Sequence, residues 1–137
     1  MNYPGDEVFD RIEVLCEQGE SYLERGKLLS ALQKFQKAYD LLPEPNNIYP
    51  SGTWLLTAMG DINFMLHKYE KGAANMKNAL NSAEGDGNAF IHFRLGQCLY
   101  KLNKSEEAKE ELSKAFQLGG KEIFDDEDPQ YLQFFQS

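Results

Sequence analysis

Apolar and small residues return along this chain every three or four positions, in paired stretches separated by glycine, proline and asparagine. In the first pair, Ile12, Leu15, Gly19 and Tyr22 fall on one helical stripe, and after Gly26 a second stripe runs through Leu28, Leu32, Phe35 and Tyr39 and stops before Pro43. The arrangement recurs at Leu56, Met59, Gly60 and Phe64 followed by Tyr69, Gly72, Met76 and Ala79. It recurs again at Leu95, Gly96, Leu99 and Tyr100 followed by Ala108, Leu112 and Ala115. Gly19, Gly60 and Gly96 are 41 and 36 residues apart. Such a period marks stacked helical hairpins. Gly19 with Ala31, and Gly96 with Ala108, are small enough for paired helices to approach closely, and Phe35 and Ala38 then fill the space toward the next pair.

The punctuation predicts where the elements begin and end. Glu44 to Gly52 holds Pro45, Asn46, Asn47, Pro50 and Gly52 and reads as a loop. Gly85-Asp86-Gly87-Asn88 is another, with Asn88 placed to cap a helix starting at Ala89. Ser105 is the expected cap of the following helix, with Glu106 and Glu107 in its first turn. Gly119-Gly120 ends that helix. Asp128-Pro129 then opens a last short helix, whose Tyr131, Leu132, Phe134 and Phe135 would cover the open end of the stack.

These residues resemble the tetratricopeptide repeat (TPR), whose pattern is an aromatic, Leu-Gly-x₂-Tyr, then Ala-x₃-Phe, then Pro. The first segment carries it in Gly19, Tyr22, Ala31, Phe35, Ala38 and Pro43, and the third in Leu95, Gly96, Ala108 and Ala115. The second departs from it, with Gly72 and Met76 where Ala and Phe are usual and no closing Pro. The resemblance implies an all-α TPR-like solenoid of three antiparallel helix pairs, over about 8–43, 53–84 and 89–118, with an acidic turn and a capping helix over 119–137. The whole is expected to be one array, similar to small stand-alone bacterial TPR proteins.

In such solenoids the first helix of each pair lines a concave groove that takes peptides or partner helices. Here that face carries Glu13, Glu17, Glu20 and Glu24, then Trp54, Thr57, Asp61 and Phe64, then Phe90, Phe93, Gln97 and Tyr100. The expected groove is acidic at one end and aromatic along the rest. It suits a basic or amphipathic polypeptide, because aromatic anchors ringed by charge are common in interfaces. TPR co-chaperones that hold acidic chaperone tails use Lys, Asn and Arg in the groove. The first-repeat face of this chain offers Cys16 and Glu20 instead, and the Glu20 charge repels a carboxylate.

Composition narrows the partners further. The 137 residues have 42% hydrophobic and 26% charged content and a formal net charge of −8. A phosphate backbone or an anionic membrane needs a basic face, so neither nucleic acid nor membrane is an expected partner. From Gly119 onward five acids stand against one lysine, a net −4 and half of that charge. Asp125, Asp126, Glu127 and Asp128 read as a solvated acidic turn, with a contact to a basic partner as the alternative. Without the alternating ligands and central glycine of a calcium loop, that run predicts no metal site.

No catalytic motif, phosphate-cradling loop or metal-ligand spacing is present, so no enzyme activity and no cofactor are expected. His67 falls at a helix–turn junction and His92 reads as a packed imidazole. Cys16 and Cys98 are too isolated for a disulfide framework and read as reduced thiols, consistent with the cytoplasm. Neither a signal peptide nor a spanning helix is legible. Two roles follow from the resemblance: an immunity protein that inhibits a bacterial toxin domain, or a secretion or assembly chaperone shielding an apolar segment. A metal-assisted activity at the acidic turn is a distant third.

Overall fold

The computed structural model describes residues 6–137. They form seven α-helices with no strand among the described residues: α1 (Asp6–Glu24), α2 (Leu28–Asp40), α3 (Pro50–Met65), α4 (Tyr69–Leu80), α5 (Ala89–Lys101), α6 (Ser105–Gly119) and α7 (Pro129–Gln136). Short 3₁₀ turns at Asn46–Ile48 and Gly85–Gly87 occupy the connections between hairpins, and one at Lys121–Phe124 follows α6. The first six helices pair as α1/α2, α3/α4 and α5/α6. Successive hairpins stack by packing α2 on α3 and α4 on α5.

Each hairpin turns in the same way. Gly26, His67 and Asn103 take left-handed backbone angles, with φ of 72°, 61° and 63°. The next amide in each case reaches back across the turn: Lys27 to the Tyr22 carbonyl, Lys68 to Asn63 and Lys104 to Leu99, at 2.8–2.9 Å. This is a glycine-type helix stop, filled by glycine only in the first hairpin. His67 is an exposed turn residue, as its position in the sequence implies.

Close approach depends on missing side chains. A Cβ placed on Gly19 would meet the Phe35 ring, at 2.8 Å from Cδ1 and Cζ, and one on Gly96 would lie 2.8 Å from Leu112 Cγ and Cδ2. Ala31 and Ala108 are fully buried opposite. One continuous core runs from Ile12 to Ala108. A second, smaller one forms where Phe93, Leu112 and Ala115 meet Phe124 and Tyr131 of the C-terminal segment.

Two boundaries differ from the sequence expectation. Pro50, Ser51 and Gly52 belong to the first turn of α3, not to the preceding loop. Proline suits that position because its missing N–H would have had no helical partner there. Ser105 is the first residue of α6 and caps nothing; Lys104 stands before it without a side-chain cap. The tight turn through Asn103 leads directly into the helix and leaves no room for an extended capping residue. The other signals hold: Asn88 accepts hydrogen bonds from the Phe90 and Ile91 amides, and Asp128 from Gln130. Gly120, with φ 70°, ends α6.

The connections between hairpins are tied to one another. The Ala83 amide donates to the Asn47 carbonyl at 2.9 Å, and Thr53 Oγ1 donates to the Ala83 carbonyl at 2.7 Å. His92 is buried, with Nδ1 2.7 Å from Glu111 Oε2 and Nε2 2.7 Å from the Asp86 carbonyl. It therefore joins the last connection to α6, and it is a packed imidazole in a polar cage.

Candidate functional site

The expected groove residues lie on α1, α3 and α5, and their side chains divide into two groups. Glu13, Glu17, Glu20 and Glu24 are all exposed on α1. Their spacing of four, three and four residues keeps them within a narrow arc of a helix with 3.6 residues per turn. Beside them Cys16 is half-buried, and its thiol is raised above its ordinary range by burial and then by Glu20, Glu13 and Glu17. The thiol thus registers the negative potential of this face. Trp54 on α3 is 44% exposed, although its ring meets the buried Phe35 edge-on at 5.4 Å. Thr57, one turn further, donates its hydroxyl to the Thr53 carbonyl at 2.8 Å.

The second group has turned inward around Arg94, a residue the sequence reading did not single out. Its guanidinium donates to Gln97 Oε1 at 2.6 Å and to Glu127 Oε1 at 2.8 Å. It also pairs with Asp61 Oδ1 at 2.9 Å. The Asp61 contact is electrostatic without hydrogen-bond alignment, since that oxygen and Arg94 Nε are buried without a hydrogen-bond partner. The rings of Phe64 and Phe90 lie 4.5 and 5.0 Å from the guanidinium carbon, within cation–π range. Gln97 Nε2 completes the cluster by donating to Glu127 at 2.8 Å. Asp61, Phe64, Phe90 and Gln97, four expected partner-binding residues, thus already hold an internal cation.

The aromatic end of the expected groove is covered by the chain itself. Phe93 is 1% exposed beneath Phe124, with ring centroids 4.9 Å apart at 89°, and Gln97 is also 1% exposed. Tyr100 packs on Tyr131 and Phe134, at 5.5 and 4.7 Å. Phe93 and Gln97 are therefore corrected from open groove positions to packing positions, because the Lys121–Phe124 turn and α7 lie over α5. The acidic turn is split in the same way: Asp125, Asp126 and Asp128 are exposed, whereas Glu127 points at Arg94.

Burial pushes the Cys98 thiol up to about 12, with Arg94 lowering it and Asp61 raising it. Burial also raises the Tyr131 hydroxyl, with Tyr69, Asp128 and Glu127 adding to the shift and Arg94 opposing it. Among the described residues no group of three His, Cys, Asp or Glu side chains is placed to hold a metal ion. No helix among them is long and apolar enough to cross a membrane.

One signal for the Arg94 cluster was local: Phe90, Arg94 and Gln97 share a helix face at spacings of four and three. The partner that covers it, Glu127, lies 33 residues away and had no local signature.

The tetratricopeptide-repeat family model matches residues 89–121. Among solved structures, the first TPR domain of Spaghetti (RPAP3) bound to the HSP90 peptide SRMEEVD is similar, with a TM-score of 0.72 at 21% identity over 93% of this chain and 89% of that one. The second TPR domain of human RPAP3, in complex with the HSP70 peptide SGPTIEEVD, gives 0.72 at 16% identity over 94% and 95%. The Sgt2 TPR domain from Aspergillus fumigatus gives 0.67 at 15% identity over 91% and 74%. A comparison with curated protein sequences finds no match.

Proposed function

From a chain with the tetratricopeptide-repeat fold, we propose a module that binds a basic or amphipathic polypeptide along the α1–α3 half of its concave face. The observation that carries this reading is the exposed row of Glu13, Glu17, Glu20 and Glu24 beside a half-exposed tryptophan. Carboxylates without internal partners attract Lys and Arg, and a large amphipathic ring next to them supplies the apolar anchor that most interfaces need. The peptides bound by the two RPAP3 domains end in Glu-Glu-Val-Asp. Such acidic ends do not suit the α1 face, where burial and then Glu20 and Glu13 raise the Cys16 thiol. Arg94 is also committed to Asp61 and Glu127.

The role we attach to this binding is that of an immunity protein masking a basic toxin domain. A steady acidic field favours fast capture of a folded basic surface. The secretion or assembly chaperone reading differs in its ligand, which would be an extended apolar segment.

Trp54 is the only tryptophan, so its emission reports on this site directly. A Lys/Arg-containing peptide with one large apolar residue is expected to shift that emission and to bind more weakly as salt rises. Trp54→Ala should cost about 2 kcal/mol of binding, measured by calorimetry. Equal affinity for a Glu-substituted peptide, or no loss in Trp54→Ala, sinks the proposal.

A further inference from the structure

The segment after α6 is attached to the hairpins differently from the rest of the molecule. α2 packs broadly on α3 and α4 on α5, whereas α7 meets α6 only sparsely, so it is not packed like a further hairpin helix. Among the described residues no backbone hydrogen bond joins 121–137 to the hairpins. The amides of Ile123, Glu127 and Tyr131 donate instead to the carbonyls of Gly120, Phe124 and Asp128, each three positions back.

Side chains alone hold the segment down. Phe124 and Tyr131 are buried with Phe93, Leu112 and Ala115, in the smaller of the two cores. Leu132, Phe134 and Phe135 are half-buried, with Phe134 also touching the main core. The polar ties are Glu127 to Arg94 and Gln97, and Lys109 Nζ to the Ser137 carbonyl on the surface. Elements with few buried contacts are those that open locally while the rest of a fold stays intact.

Detachment strands no charge. Arg94 would keep its pair with Asp61 and the rings of Phe64 and Phe90, and Glu127 would leave with the segment into water. The attached state, in turn, carries a cost. Arg94 Nε and Asp61 Oδ1 are buried without a hydrogen-bond partner in the cluster that Glu127 covers. Such atoms are destabilising, and water admitted by detachment would satisfy them. A hinge is also present. Gly120 has φ 70°, and nothing lies within 4 Å of a Cβ built on it.

We propose that residues 121–136 are a strap that swings away about Gly120 while the three hairpins stay folded, uncovering Phe93, Gln97 and Tyr100 on the α5 wall. Thiol labelling of the full chain by DTNB tests this. In a Cys16→Ala, Cys98→Ala background, Ala115→Cys places a thiol beneath the strap, at a position 0% exposed. The control is native Cys98 in a Cys16→Ala chain, equally buried but in the main core. The thiol of the Ala115→Cys chain is expected to react about tenfold faster or more, because the strap opens more often than the whole fold. Its rate should rise only shallowly with urea, whereas that of Cys98 should rise steeply, since the slope follows the surface exposed. Phe124→Ala should accelerate the first reaction much more than the second. The unaltered chain gives an independent readout by hydrogen exchange, in which the amides of Asp125, Glu127 and Phe134 should open together as one unit. Equal rates and equal urea slopes for the two thiols, or protection that fades residue by residue toward Ser137, would each overturn the proposal. None of these readouts depends on the groove binding a ligand.

Discussion

At the scale of single residues, two glycines serve opposite physical ends, and substitution separates them. Gly19 is small because the Phe35 ring fills the space where a Cβ would sit. Gly19→Ala is expected to destabilise by about 1–3 kcal/mol through overpacking. Gly26 has nothing within 4 Å of a built Cβ, but its φ is 72°. Gly26→Ala should therefore lose about 1–2 kcal/mol from backbone strain alone. Urea denaturation of both variants checks the pair, and a Phe35→Leu background should relieve the first and leave the second untouched. Cys16 offers a third reading at this scale. Glu20 heads the charges that raise its thiol, so Glu20→Gln should lower that pKa and speed alkylation by iodoacetamide near pH 8.

At the scale of elements, the C-terminal segment closes the end of the stack by burying Phe124 and Tyr131 over Phe93 and by joining Glu127 to Arg94. Arg94→Leu leaves Asp61 and Glu127 facing each other without their cation, and should cost about 3 kcal/mol or more in thermal or urea unfolding. Glu127→Gln keeps an acceptor for the guanidinium and should cost less. The segment also confers an alkaline limit. The folded state holds the Tyr131 hydroxyl above its unfolded value, so it binds the proton more tightly than the unfolded chain does. Stability from this group is complete below about pH 10, the ordinary tyrosine value, and falls as pH rises beyond it. Tyr131→Phe should flatten that fall in melts between pH 9 and 11. Cys98, pushed up to about 12, acts in the same direction from about pH 8.5, so the comparison belongs in a Cys98→Ala background.

The hairpins were legible in the sequence because each rests on a local rule. Gly19 and Gly96 had to be small, Ala31 and Ala108 had to face them, and Asn88 and Asp128 are cap residues placed just before their helices. Ser105 misled because a capping residue needs an extended backbone that the Asn103 turn does not leave. The site was half legible. The glutamate row follows from helical period alone, whereas the fate of Phe93 and Gln97 was decided by Phe124 and Glu127. Such contacts bring together residues about 30 positions apart, and no local spacing encodes them.

At the scale of the whole molecule, the exposed glutamate row carries a prediction about rates. Glu13, Glu17, Glu20 and Glu24 occupy one narrow, exposed arc of α1. Charge reversal at Glu13, Glu17 and Glu20 should slow association with a basic partner and reduce its dependence on salt, with a smaller effect on dissociation; stopped-flow measurement of Trp54 emission separates the two rates.

The ties between hairpins have a mechanical consequence. Ala83 bonds to Asn47 and Thr53, so the linkers form a bound edge. Among the described residues no hydrogen bond joins the turn at Gly26 to that at His67, or His67 to Asn103. The stack is therefore hinged like the pages of a book: stiff along the linker spine, compliant along the opposite margin. Spreading the hairpin tips apart would therefore load side-chain packing rather than backbone hydrogen bonds.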